Sequence, residues 1–487
     1  MSTQALAEFA AGIRYESLPA EVIAKAKTSV RDFLGVALYV SLNTPWGKTV
    51  AQFAIKQGYG ASVATIIGHG KKTVPSRAAL ANGTFGLGFE FEDFHPWAGM
   101  HPGSFVVPAA LATAEVEKAG GKALITAVVA GHEVAPRVRM ASNKTQDGEG
   151  LMVRGIYPQA IFGGFGAAAA AGVILGLDTD RMAVAFGLAG EQAGGTMQSH
   201  KEGAWSRRMH SGHAAERGVS AAFLAAEGFL GPKQIFDGEQ NIYKALALRA
   251  HDPAKLSYAL GKHWAMMDIG YKSYSCAIGF HSAIDILLEL KRELNFSADD
   301  VEKVTVYKPG TTPIHLRTDF PTIIAAQYSA PFCIATAILK GRVTPTEFTA
   351  EALREEARLR FARARVEVVP DETMEAEREN EREASPDTLV LQKNPGRVIL
   401  RLRDGRVFER RRDYPTGHPM QPMTQAQLHD KFMGLATTVL TYSRAEEISQ
   451  SCEDLERLED CSTLTALLYP DTHDCWNLGN ESGGIDG

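Results

Sequence analysis

Residues 163–177 read GGFGAAAAAGVILGL. Small or apolar side chains occupy every face of such a segment, so it has no polar side for water and must form a buried helix closely packed by its neighbours. The surrounding pattern stays helical up to about residue 262. LPAEVIAKAKTSVRDFLGVALYVSL, SRAALANGTFGLGFEFED, SFVVPAALATAEVEKAG and GKALITAVVAGHEVAPRVRM all repeat apolar residues at three- and four-residue spacing between glycines.

Near residue 265 the texture changes. VEKVTVYKP (301–309), ARVEVVP (364–370), GRVILRLRDG (396–405) and RVFERRRDYP (406–415) alternate β-branched and polar residues, with Asp404-Gly405 as a hairpin turn. Helical stretches, AIGFHSAIDILLELKREL and SAPFCIATAILKG, lie between them. After DYPTGHPMQPMT the helical texture returns. About sixty residues make a marginal core alone, so this segment is expected to rejoin the first domain rather than form a third. The predicted fold is mainly α: a helical domain from both chain ends (1–265 and 416–475), an inserted α+β lid (266–415) and a flexible tail (476–487). The charged run 354–365 reads as a solvated helix face, and the acidic run 371–387 as an exposed loop.

A chain of 487 residues has room for two or three domains and a catalytic cleft. Its net charge of −6, from 51 basic and 57 acidic residues, argues against a nucleic-acid binder; any anionic ligand needs a local cluster of cations. The N-terminus lacks a signal-peptide pattern, and no run reaches membrane-spanning length. Five dispersed cysteines without a CxxC pair suit reduced thiols in a cytoplasmic compartment. No glycine-rich phosphate loop follows a strand. His473-Asp474-Cys475 and the His95/His101 pair lack the further ligands of a metal site, so neither metal nor cofactor is expected.

Three stretches could carry chemistry. In GFEFEDFHPWAGMHPGS (88–104), Pro96 places Asp93 and His95 at a helix end or in the loop beyond, and Pro102-Gly103 turn His101 toward the next helix. Such a loop can set an imidazole beside a carboxylate, although a single loop histidine is by default a solvated surface residue. In EGAWSRRMHSGHAAERG (202–218), Arg207, Arg208, His210 and His213 precede a helix and could converge on carboxylates, or form a basic surface turn. In DIGYKSYSCAIGFHSAID (268–285), Lys272 and Tyr274 stand before a helix with Cys276 near its start. A lone lysine is usually solvated, and Cys276, without a recognised base, reads as a small buried side chain.

Together these pieces resemble the MmgE/PrpD family, which includes 2-methylcitrate dehydratase, cis-aconitate decarboxylase and iminodisuccinate epimerase. ANGTFGLGFEFEDFHPWAGMHPGSFVVPAALA, FGGFGAAAAAGVILGLD, RRMHSGHAAERGVSAAFLAAEGFLGP, YKSYSCAIGFHSAID, AAQYSAPFCIATAI and YPTGHPMQPMTQAQLHDKF occur in family order over nearly the whole chain. The resemblance implies a helical domain with an α+β lid, commonly a homodimer, and a cofactor-independent site for a small carboxylate between the two. It carries catalytic roles to Asp93 and His101, with His95 close by, and matches Lys272 to a family basic residue. His210 keeps a family histidine, while Arg207 stands where the family has lysine and Tyr157 where it has histidine. Tyrosine is a poor base at neutral pH but donates hydrogen bonds, and arginine favours bidentate carboxylate binding.

The expected mechanism is proton abstraction beside a carboxylate followed by elimination. Asp93, His101 and Tyr157 are its catalytic candidates; His95, Arg207, Arg208, His210 and Lys272 are its substrate-binding ones. Glu90 and Glu92 are read as structural. Decarboxylation, isomerisation or epimerisation on the same scaffold, and a member that binds without turnover, stay open.

Overall fold

The computed structural model describes residues 2–58, 62–142, 150–152, 154–246, 251–384 and 392–470. The expected tail at 476–487 and the His473–Cys475 stretch lie outside the described residues. The fold is mainly α with a small α+β region, as the residue patterns predict.

Its first part is built from α1 (Ala20–Asn43), α2 (Pro75–Gly86), α3 (Gly103–Glu117), α4 (Gly121–Ala141), α5 (Pro158–Ile174), α6 (Thr179–Glu191) and α7 (Met209–Ala226). The small-residue stretch forms most of α5, whose residues from Pro158 to Gly172 are all buried; the expected burial does not extend to its end, where the helix stops at Ile174, residues 173–175 are half-buried and Gly176 is exposed. It packs on α3, α4, α6 and α7. A Cβ on Gly164 would stand 2.4 Å from Arg217 Nε of α7, so the absent side chain lets the two helices approach. Arg217 donates to the Ala160 and Ile161 carbonyls of α5.

The second part holds α8 (His281–Leu294), α9 (Ala330–Lys340) and a sheet of β3 (Val301–Lys308), β4 (Val366–Pro370), β5 (Gly396–Leu402) and β6 (Val407–Arg412), in spatial order β4-β3-β5-β6. The β3–β4 pair is parallel and the others antiparallel. Alternate residues Val304, Val306, Val398, Leu400 and Leu402 are buried, and α8 packs against β5 and β6, which explains the two-residue period. At the β5–β6 turn Gly405 takes φ +90°. Near the end, α10 (Gln425–Ala436) and α11 (Tyr442–Glu453) pack on α1, and Lys431 of α10 bonds to Asp32 of α1 at 2.6 Å in the interior.

Some local expectations are corrected. The helix through residues 76–93 stops at Gly86, and Asp93-Phe94 form a two-residue strand, β1, paired with β2 (Gly270–Tyr271). The acidic run is helical from Glu372 to Ala384 rather than a loop; Glu, Ala, Met and Arg are strong helix formers, and Asp371 Oδ1 accepts the Met374 N–H at its start. The helix at Glu356–Arg365 is not wholly solvated: Arg358 is buried and donates to the Glu347 carbonyl. The helix expected in the stretch 268–285 is α8 and begins only at His281, leaving Cys276 buried in the loop before it. Among the described residues no helix is long and apolar enough to cross a membrane.

Candidate functional site

Antiparallel pairing of β1 with β2 sets Asp93 opposite Tyr271. Lys272 follows β2 directly, and its backbone N–H reaches the Glu92 carbonyl. Two segments about 180 residues apart in sequence are thereby joined at one point. Glu90 precedes β1 in a left-handed conformation, φ +55°. For a non-glycine residue that backbone costs on the order of 1–3 kcal/mol, and it persists where surrounding contacts over-determine it.

Those contacts are ionic. Glu90 Oε2 lies 2.9 Å from Lys272 Nζ, and Glu90 Oε1 pairs with Arg207 Nη1. Glu92 Oε1 lies 2.8 Å from Lys272 Nζ. The Tyr328 hydroxyl bridges, accepting from Arg207 Nη2 and donating to Glu90 Oε1. Arg207 Nε donates to His200 Nε2 at 2.8 Å. Burial works against charge on Glu90, yet Arg207, Lys272 and His101 hold its carboxyl well below the usual range. Burial likewise opposes the Lys272 ammonium, but Glu90 and Glu92 outweigh it and raise its pKa. Two carboxylates and two cations therefore form a charged, balanced cluster.

His101 sits at its rim. Its Nδ1 lies 2.7 Å from the Asp93 main-chain carbonyl, and a carbonyl only accepts, so Nδ1 carries the hydrogen and Nε2 keeps a lone pair. Desolvation, opposed by Glu92, lowers the His101 pKa, so the ring is neutral at pH 7. Its side chain is 15% exposed, whereas Glu90, Glu92, Arg207 and Lys272 are 2–3% exposed. Gln159 Oε1 accepts the His101 backbone N–H at 2.9 Å. The Asp93 carboxylate turns the other way and accepts the Gly103 N–H at 2.8 Å, at the start of α3. Asp93 thus contacts the His101 ring through its main chain, not through its carboxylate.

The remaining candidates divide. Tyr157 stands immediately before the first residue of α5, with its ring 4.9 Å from His200 and 5.0 Å from His210. Burial raises its pKa, so the phenol stays protonated as a donor. His210 falls within α7, is pushed down to about 4 by burial and Arg207, and also lines a cavity of about 660 Å³ with Thr196, Ser199 and Arg217. Arg208 stands apart: its guanidinium lies 4.5 Å from the Trp46 ring centroid and donates to the Leu87 carbonyl and Gln327. His95 faces inward; burial holds it near 4 and the groups acting on it are Asp268, Arg137, His263 and His132. The structure groups His101, Arg207, Lys272, Tyr157 and His210, and leaves Arg208 and His95 outside.

Tyr328, His200 and Gln159 join the site without having been candidates, and Glu90 and Glu92, expected to be structural, form its ionic centre. Tyr328 and Gln159 are themselves uncharged and lie in stretches, AAQYSAP and RGIYPQA, whose periodicity does not mark them. Glu90 and Glu92 were visible but stood in an acidic run whose partners come from elsewhere in the chain.

Comparison with known proteins covers nearly the whole chain. The sequence profile described as the MmgE/PrpD N-terminal domain matches residues 4–253, and that of the MmgE/PrpD C-terminal domain matches residues 274–457. Cis-aconitate decarboxylase-like protein oryM of Aspergillus oryzae is 28% identical, covering 96% of this chain and 97% of its own. Cis-aconitate decarboxylases of mouse and human are 27% and 26% identical, covering 96% of this chain and 93% and 94% of theirs.

Proposed function

The chain belongs to the MmgE/PrpD family, and from that premise we propose that it is a lyase acting on a small di- or tricarboxylate by cofactor-independent proton transfer at a carbon beside a carboxylate. The observation that carries this reading is the neutral, partly exposed His101 set beside the buried Arg207–Glu90–Lys272–Glu92 cluster.

Arginine has five N–H donors and lysine three, so contacts to Glu90, Glu92, Tyr328 and His200 leave both cations N–H groups to offer a substrate carboxylate. Held there, the substrate presents its α-hydrogen to His101 Nε2. The C–H bond breaks as Nε2 takes the proton, and the electron pair passes into the carboxylate, where Arg207 and Lys272 stabilise the added charge. In elimination that pair then forms the C=C bond as the neighbouring C–O bond breaks, and the departing hydroxide takes a proton from the imidazolium or from the Tyr157 hydroxyl. A lid, a homodimer, a cytoplasmic setting and a small carboxylate as ligand belong to the same proposal.

Decarboxylation is the second reading, favoured by the names of the relatives. There the C–C bond to the departing carbon dioxide breaks, and His101, once protonated, returns a proton to carbon. The negative charge of an incoming polycarboxylate favours that protonation.

Incubation with cis-aconitate and with hydroxylated tricarboxylates in deuterated water separates the two. Water loss with exchange of the α-hydrogen is expected for elimination; release of carbon dioxide moves the assignment to decarboxylase. His101→Ala should abolish either reaction with little change in thermal stability. Near-normal turnover in that variant would overturn the proposal.

A further inference from the structure

His132 lies in the middle of α4, fully buried, and the reaction proposed above makes no use of it. Its Nδ1 is 2.8 Å from the Val128 carbonyl one turn earlier. Because a carbonyl only accepts, Nδ1 carries a hydrogen. The other nitrogen, Nε2, lies 3.7 Å from Asp93 Oδ2. Neither Nε2 nor Asp93 Oδ1 has a hydrogen-bond partner, and both are buried.

A neutral imidazole in this orientation would direct the Nε2 lone pair at a carboxylate. Two desolvated acceptors would then face each other with nothing between them, an arrangement that interiors avoid. A proton on Nε2 turns the same contact into a charge-assisted pair. We propose that His132 holds that proton as an imidazolium paired with ionised Asp93, and that it acts as a positioning residue for His101.

The surroundings favour the proton on the histidine rather than on Asp93. Asp93 Oδ2 accepts the Gly103 N–H at the start of the fifteen-residue helix α3, where the helix dipole favours a negative charge. Lys25 of α1 acts on Asp93 with a positive charge; burial lowers that ammonium to about 8, so it stays protonated at neutral pH. Asp32 of α1, Tyr271 of β2 and His95 are further titratable groups in electrostatic contact with the pair. On α4 itself, Glu133 and Arg137 neutralise each other.

Asp93 carries the link to the site. Its main-chain carbonyl takes the His101 Nδ1 hydrogen, while its carboxylate pins the Gly103 amide two residues beyond His101. A Cβ on Gly103 would stand 3.1 Å from that carboxyl group, so the anchor is tight. Fixing the Asp93 carboxylate from behind therefore fixes both ends of the short loop that aims the His101 lone pair.

The kinetic part of this inference rests on His101 as the proton carrier; the protonation of His132 does not. Nitrogen NMR of the full chain labelled at histidine, with His132 assigned from the resonance lost in His132→Gln, reads the proton directly. Both ring nitrogens protonated at neutral pH is the expected result; a bare Nε2 overturns the proposal, whatever the protein's activity. For turnover, His132→Gln keeps a donor toward Asp93 and His132→Phe does not. The Phe variant should lose at least tenfold in kcat with KM unchanged, and the Gln variant should recover most of it. Equal kcat in the two variants would refute the positioning role.

Discussion

Replacing Glu90 by glutamine keeps the shape of the side chain and removes the negative charge that ties Arg207 to Lys272. The cluster then holds two cations against Glu92 alone, all 2–3% exposed, where solvent cannot absorb the imbalance. Removing one member of a buried ion pair costs about 3–5 kcal/mol. The amide oxygen of the glutamine can still accept a hydrogen bond, which places the expected loss near the lower end of that range, about 3 kcal/mol. An unfolding entropy of about 2.1 cal/mol/K per residue over 487 residues is about 1 kcal/mol/K, so Tm should fall by about 3 °C in differential scanning calorimetry. Adding Lys272→Met restores the charge balance, and the double variant should be about 2 kcal/mol more stable than the sum of the single effects. A tricarboxylate supplies the missing charge from outside, so it should raise the Tm of Glu90→Gln more than that of the unaltered protein. A variant melting within about 0.5 °C of the unaltered protein, with additive effects in the double variant, would refute the reasoning.

In the elimination reading, the acidic limb of kcat/KM should lie below pH 6.5, with a plateau above it. His101 must be neutral to accept a proton, and its pKa is lowered by burial, so activity is lost as pH falls through that lowered value. Stability should follow the same direction. His69, His95, His210, His315 and His418 are held near 4 and His200 near 3, mainly by burial. Below pH 6.5 the unfolded chain takes up protons that the folded chain refuses, so Tm measured against pH should fall progressively from 6.5 toward 4; a flat profile would contradict their burial. Arg207→Lys removes the Nε donor to His200 and the planar fork shared by Glu90 and Tyr328, and steady-state kinetics should show KM rising about tenfold with a smaller change in kcat.

The helical core was legible because its signals are local. The run from Gly163 to Gly172 states its own burial, since no arrangement of glycine, alanine and phenylalanine leaves a polar face. The period of two in 301–308 and 396–402 likewise states one buried sheet face. The helix over 372–384 departs from the expected loop because its helix-forming composition outweighs the mutual repulsion of its acidic side chains. In the site, the stretch 88–104 was marked by its own crowding of carboxylates and imidazoles. What each group faces was not marked: Asp93 offers His101 a carbonyl rather than a carboxylate, and Arg208 turns to Trp46 while its neighbour Arg207 turns to Glu90.

The amino-acid sequence by itself determined most of the helices, the strands of the main sheet and the faces they bury, and it marked His101, Arg207 and Lys272 as carriers of protons and charge. Only the tertiary structure decided the pairings, because charges act over a few ångströms in space and are blind to separation along the chain. Pairing β1 with β2 brings Lys272 to Glu90 and Glu92, and Arg207, at the edge of α7, completes the cluster. The assembled surroundings then settle which form each group takes: Arg207 and Lys272 hold Glu90 ionised against its burial, and burial keeps His101 neutral.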